Sequence, residues 1–126
     1  MPEIKFRGKT LDGNVIIGDL VHRGNHIAIR PFDCFDLPLG FKVDPDTVGL
    51  FTGLQDIDRN DIFEGDRLEA IQSGKTLARL LFNPIGTVEY NPQFCNWDIV
   101  HRSGNRVLVE QLNSYNSNKY RIKNGA

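Results

Sequence analysis

Along this chain, apolar residues fall at every second position in short runs, and glycine, asparagine and aspartate separate one run from the next. Ile4 and Phe6 alternate with Lys5 and Arg7, Asp12-Gly13 follows as a tight turn, and Val15 to Val21 is rich in β-branched residues. Alternation of this kind predicts strands with one face buried, and a glycine-bearing pair between two such runs predicts a hairpin. Arg23-Gly24-Asn25 separates Leu20-Val21-His22 from His26-Ile27-Ala28-Ile29, and the same phrase returns at Gly104-Asn105-Arg106-Val107-Leu108-Val109. The unequal spacing marks these as turn chemistry rather than a solenoid repeat.

Further along, Pro31 to Gly40 reads as a connection bearing proline and phenylalanine. Strands are then predicted at Arg67 to Ile71, Thr87 to Tyr90, Phe94 to His101 and Arg106 to Leu112, with turns at Ser73-Gly74 and Ser103-Gly104-Asn105. Cys95, Trp97 and Ile99 share a face at period two, which makes Cys95 a small core residue. Helix is expected only at Leu77 to Phe82. The expected fold is mainly β with little helix: N-terminal β-hairpins packed beside a small SH3-like β-barrel. In one domain over 1–126, the hairpin part covers about 1–43, an acidic connection about 44–66, the barrel-like part about 60–112 and a polar tail 113–126. The tail is rich in Asn, Ser and Lys, and its end is expected to fray or to order on a partner.

Composition narrows the function classes. The 126 residues carry 15 Lys and Arg against 16 Asp and Glu, a formal net charge of -1, so no overall positive field draws the chain onto phosphate backbones. The near-neutral sum hides an asymmetry. Asp44, Asp46, Asp56, Asp58, Asp61, Glu64 and Asp66 face only Arg59 in the middle segment, whereas Arg102, Arg106, Lys119, Arg121 and Lys123 face only Glu110 after His101. One consequence to test is that the acidic segment of one copy meets the basic third of another, giving a homo-oligomer. The two cysteines, Cys34 and Cys95, form no CxxC pair, and the start Met1-Pro2-Glu3-Ile4-Lys5 has no apolar leader, so a cytoplasmic location is expected. No apolar run approaches the roughly 20 residues of a membrane span, and no membrane association is expected.

Several fragments of chemistry are present, each incomplete. Ser73-Gly74-Lys75-Thr76 ends like a phosphate-binding loop, but the position of the first glycine holds Glu69, a carboxylate that repels phosphate. Asp56-Ile57-Asp58-Arg59-Asn60 begins like a calcium loop, yet Asp61 replaces its glycine and Arg67 its final glutamate, so a polar turn between Leu54 and Ile62 is the better reading. Asp56, Asp58, Asp61 and Glu64 are the residues on which a metal-dependent enzyme would be built. His22 and His26 flank a short turn, and with His101, Cys34 or Cys95 they have the donor types for zinc, though spacing alone does not join them. No cofactor or metal site is expected, and no nucleophile stands beside a base, so the chain reads as a non-enzyme.

The opening Ile4-Lys5-Phe6-Arg7-Gly8, the following Gly18-Asp19-Leu20, and the run from Val43 through Gly49-Leu50-Phe51-Thr52-Gly53-Leu54-Gln55-Asp56 resemble the phage and prophage YopX-like family. The likeness continues through Asp61-Ile62-Phe63-Glu64-Gly65-Asp66-Arg67-Leu68, and more loosely through Gly86 to Tyr90 and Trp97. It spans most of residues 4–100. The resemblance implies a small, mostly β protein of a bacteriophage, prophage or other mobile element, of a family with no established biochemical activity. The chain departs from the family at its end, where a phrase of the type V-I-G-N-I-Y-E-N-P is common and only Ile122-Lys123-Asn124 corresponds.

The function expected is therefore that of an interaction protein, binding a protein partner or a second copy of itself through sheet edges and the loops around Phe51 and Phe63, with Asp56, Asp58 and Glu64 beside them. The alternative is a nucleic-acid-binding module. It would use the barrel, aromatics such as Phe51, Phe63, Tyr90, Phe94 and Trp97 for stacking, and Arg102, Arg106 and Arg121 on the backbone.

Overall fold

The computed structural model describes residues 3–32, 40–71 and 83–124. Among them the chain is mainly antiparallel β, with strands at Phe6–Lys9 (β1), Val15–Arg23 (β2), His26–Arg30 (β3), Phe41–Lys42 (β4), Gly49–Gln55 (β5), Asp61–Phe63 (β6), Arg67–Ala70 (β7), Ile85–Asn91 (β8), Asn96–Ser103 (β9), Arg106–Leu112 (β10) and Tyr120–Ile122 (β11). Single 3₁₀ turns lie at Pro45–Thr47 and Ser117–Lys119. The strands form two sheets, in the orders β4-β3-β2-β1-β5-β6 and β10-β9-β8-β7-β11, and neither closes into a barrel among the described residues. Two compact units divide within β5, at Phe51 and Thr52.

In the first unit the hairpins expected from the sequence are present. Arg23 pairs with His26 across Gly24-Asn25, and Gly24 has a φ of 58°, the left-handed value required at the first central position of a two-residue loop of this kind. The register puts His22 opposite Ile27 and His26 opposite Arg23, so the two histidines lie on opposite faces. They do not face each other as zinc ligands would. Ala28, Ile29 and Val43 are buried, and Gly8 makes room for them: a Cβ there would stand 3.0 Å from Ile29 Cδ1 and 3.2 Å from Val43. Asp44 caps the first 3₁₀ turn by accepting from the Asp46 N–H at 3.0 Å, and Thr47 Oγ1 accepts from the Lys9 N–H at 2.8 Å.

In the second unit β7 to β10 follow one another as antiparallel neighbours, and β11 returns to pair with β7. Leu68, Val88, Ile99, Leu112 and Tyr120 project from this sheet onto Ile62, with Leu54, Ala70, Trp97 and Ile122 packed around them. Gly86 is a close-approach glycine: a Cβ at that position would lie 2.4 Å from Ile99 Cγ2 and 3.0 Å from the His101 ring. His101 is fully buried and its Nδ1 lies 2.8 Å from the Asn83 carbonyl. The Tyr120 hydroxyl donates to Glu110 at 2.5 Å, which links β11 to β10, the strands at the two ends of the sheet order.

Two expectations are corrected here. The tail does not fray as far as Asn124: Ile71 N–H donates to the Lys119 carbonyl at 2.7 Å, Lys123 N–H to the Arg67 carbonyl at 2.7 Å, and β11 pairs with β7 over Tyr120–Ile122. A polar composition concealed this strand because its anchoring is by main-chain bonds and by only two large apolar groups, Tyr120 and Ile122. Cys95 is exposed, in the turn before β9 at a φ of 53°, and its thiol lies 3.7 Å from the Pro92 carbonyl. The period-two face therefore begins at Trp97, and Cys95 is no core residue. Cys34, the Ser73-Gly74-Lys75-Thr76 phrase and the Leu77 to Phe82 run lie outside the described residues.

Candidate interaction surface

The acidic stretch of the second unit is first of all a turn that holds the chain. Asp56 is 3% exposed, and its Oδ1 accepts from the N–H groups of Asp58 and Asn60, both at 2.9 Å, while Oδ2 accepts from Ile122 N–H at 3.0 Å. Aspartate is suited to this position because one short carboxylate can satisfy the donors of a tight turn and still reach a strand. Arg59 sits in the turn at a φ of 65°. Asp66 is also fully buried: Oδ2 accepts from Phe63 N–H at 2.8 Å and Oδ1 from the Asn124 side-chain amide at 2.7 Å. Phe63 is 2% exposed and belongs to the interior, so it offers no contact surface, whereas Glu64 is half-buried. Phe51, in the first unit, is half-buried with the Lys5 ammonium 4.6 Å from its ring centroid.

Three of the basic residues are drawn into pairs with carboxylates of the same unit. Arg121 Nε donates to Asp58 at 2.8 Å and Lys123 lies 3.3 Å from Glu69. Arg102 holds Glu89 through both arms of its guanidinium, and that bond raises its pKa further above the ordinary arginine value. Two of the three arginines of the nucleic-acid alternative, Arg102 and Arg121, are thus each matched to a carboxylate of the same unit. The charge asymmetry seen along the sequence is in part an internal complementarity, with Asp58 meeting this chain's own Arg121. Such exposed pairs contribute little to stability. A shallow depression of about 180 Å³ lies on the outer face of the second sheet between Arg67, Asn83, Ile85, Thr87, Val100 and Arg102. Tyr90 and Trp97 pack edge to face, 5.2 Å between centroids, so these aromatics of the stacking platform first serve each other.

Two exposed apolar residues of the second unit lie on β10, which pairs with β9 on one side and ends the sheet order on the other. Val107 is 58% exposed and Val109 50%, whereas Leu108 between them is half-buried. Ser103 and Arg106 close the two-residue loop around Gly104, whose φ is 59°. Residues flanking such a loop exchange both main-chain bonds, and bonded and non-bonded pairs alternate from there. Arg106, Leu108 and Glu110 therefore turn their N–H and C=O groups toward β9. Val107, Val109 and Gln111 turn theirs outward along the edge, where the Gln111 C=O accepts from the Asn116 side-chain amide at 2.7 Å.

Sequence reasoning missed this surface, although a signal was present. A half-buried strand alternates, but Val107-Leu108-Val109 is apolar on both faces between Arg106 and Glu110. It missed the burial of His101 as well, whose Nε2 has no hydrogen-bond partner. Among the described residues, no three His, Cys, Asp or Glu side chains come together as metal ligands do, and no helix is long and apolar enough to cross a membrane. Comparison with protein-family models, curated proteins and solved structures finds no match for this chain.

Proposed function

We propose that this chain is a non-enzymatic interaction protein, of the phage and prophage YopX-like kind that its sequence resembles, acting in the bacterial cytoplasm by offering a sheet edge to a protein partner or to itself. The observation that carries this reading is the outer edge of β10, where the exposed Val107 and Val109 also turn their N–H and C=O groups outward. An edge of that composition binds an extended strand: main-chain bonds supply affinity, and side-chain fit on either face supplies selectivity. The second unit further supports the SH3-like reading through its connectivity. Four antiparallel strands in sequence are followed by a 3₁₀ turn and a fifth strand that returns to the first, with Tyr120 and Glu110 drawing the two ends of the sheet together. The pairing of Arg102 with Glu89 and of Arg121 with Asp58 weighs against the nucleic-acid alternative.

The test is affinity capture of the tagged chain from cells that carry its parent element, with half of each sample treated with nuclease, alongside the variant Val107→Lys/Val109→Lys. The expected result is a stoichiometric protein retained after nuclease and lost with the variant. Retention that vanishes with nuclease, or that the variant leaves unchanged, contradicts the reading.

A further inference from the structure

We infer that the strand taken by the β10 edge is β10 of a second copy of this chain, paired antiparallel about a two-fold axis through Leu108; the inference rests on the edge-binding reading above and names its partner. The argument begins with the segment Arg106-Val107-Leu108-Val109-Glu110, which is self-complementary when reversed. An antiparallel pairing centred on Leu108 sets Arg106 against Glu110 of the second copy, Val107 against Val109, and Leu108 against itself. A two-fold axis imposes this reciprocity, since each contact made by one copy is made by the other.

Backbone geometry is compatible with the same register. Among the described residues of β10, Val107, Val109 and Gln111 turn N–H and C=O groups outward, and the Gln111 C=O already accepts from the Asn116 side-chain amide at 2.7 Å, so bonded pairs across the axis are those of Val107 and Val109. With Leu108 on the axis, Val107 and Val109 of one copy meet Val109 and Val107 of the other and exchange main-chain bonds in both pairs. A shift of one residue would set outward groups against inward ones and remove the bonds. Arg106 and Glu110 fall in non-bonded pairs, where opposed side chains approach most closely, and their charges are opposite, with Glu110 keeping the bond it accepts from Tyr120.

Side-chain chemistry agrees on each face. On the outer face the exposed Val107 and Val109 of both copies join one apolar cluster, continuous with Val100, which pairs with Val109 in its own sheet. On the inner face Leu108 meets Leu108 between the two Arg-Glu pairs. A heterologous strand without a cation and an anion at the matching positions would lack this charge fit, which is why a second copy is the occupant of choice.

Sedimentation equilibrium of the full chain tests the inference, with the fold of each variant checked by circular dichroism. Wild type is expected to be a concentration-dependent dimer. Val107→Lys/Val109→Lys, at exposed positions, should be monomeric over the same range, and Arg106→Glu should weaken the dimer by roughly tenfold or more because it sets like charges together twice. Leu108→Cys should form a 108-to-108 disulfide under mild oxidation, located by peptide mapping, since directly opposed non-bonded positions have the Cα separation a disulfide needs. A monomeric wild type, a dimer indifferent to the lysine variant, or no 108-to-108 disulfide overturns the inference. A monomer that still loses a captured protein partner on Val107→Lys/Val109→Lys leaves edge binding standing and removes only self-pairing. Capture that is indifferent to that variant removes the edge reading itself.

Discussion

Asp56 illustrates how a residue that looks chemical by sequence is structural by placement. Its two oxygens accept three main-chain N–H groups, from Asp58, Asn60 and Ile122, and it is nearly inaccessible. Replacing it with alanine leaves those donors without their acceptor in a buried turn, so Asp56→Ala should destabilise the protein by about 2–4 kcal/mol, read as a lowered urea midpoint. Asp58→Ala removes only an exposed pair with Arg121 and should cost under about 1 kcal/mol. Equal losses from the two variants would contradict this assignment. Tyr120 carries a pH dependence. Burial first, and then its bond to Glu110, hold the phenol pKa above the ordinary 10.0. The folded state therefore favours the neutral phenol: its contribution is fully present below pH 10, and it is lost as the unfolded chain ionises at higher pH. The stability advantage of wild type over Tyr120→Phe should shrink between pH 9 and pH 11 (roughly spanning the unfolded value), as measured by denaturant unfolding; an advantage that stays constant would refute this.

Between residues and the whole, hairpins were the most legible feature. The Gly24-Asn25 and Gly104-Asn105 loops were readable because a left-handed glycine in a two-residue connection leaves a local mark, and β10 runs from Arg106 to Leu112 as expected after the second of these turns. Elements held by distant contacts left no such mark. The last strand, β11, depends on main-chain bonds to β7 and on carboxylates far back in the chain, Asp56 and Asp66. Of the candidate site, the burial of Phe63 was not legible, because its place in the interior is set by contacts distant in sequence. Gly86 gives a prediction at this scale. Its Cβ would collide with Ile99 and crowd the His101 ring, so Gly86→Ala should destabilise by roughly 1–3 kcal/mol, whereas the open surface around Gly13 leaves no such collision. A thermal midpoint of Gly86→Ala equal to wild type would show that the sheet can yield there.

For the molecule as a whole, the arrangement of charge and edge defines what it offers a partner. The acids and bases that stand apart in sequence meet within the second unit, as Asp58 with Arg121 and Glu89 with Arg102 show, so net field is a poor guide to its binding. The outer edge of β10, with the exposed Val107 and Val109, is the surface assigned to the partner. Residue-resolved amide hydrogen exchange across a concentration series tests that edge most directly. The inward N–H groups of Leu108 and Glu110 should exchange slowly at every concentration. Those of Val107 and Val109 should exchange quickly when the protein is dilute and become protected as it is concentrated. Equal protection of both sets in the most dilute sample, or outward groups that stay fast in the most concentrated one, would contradict the account of β10 as the self-pairing edge.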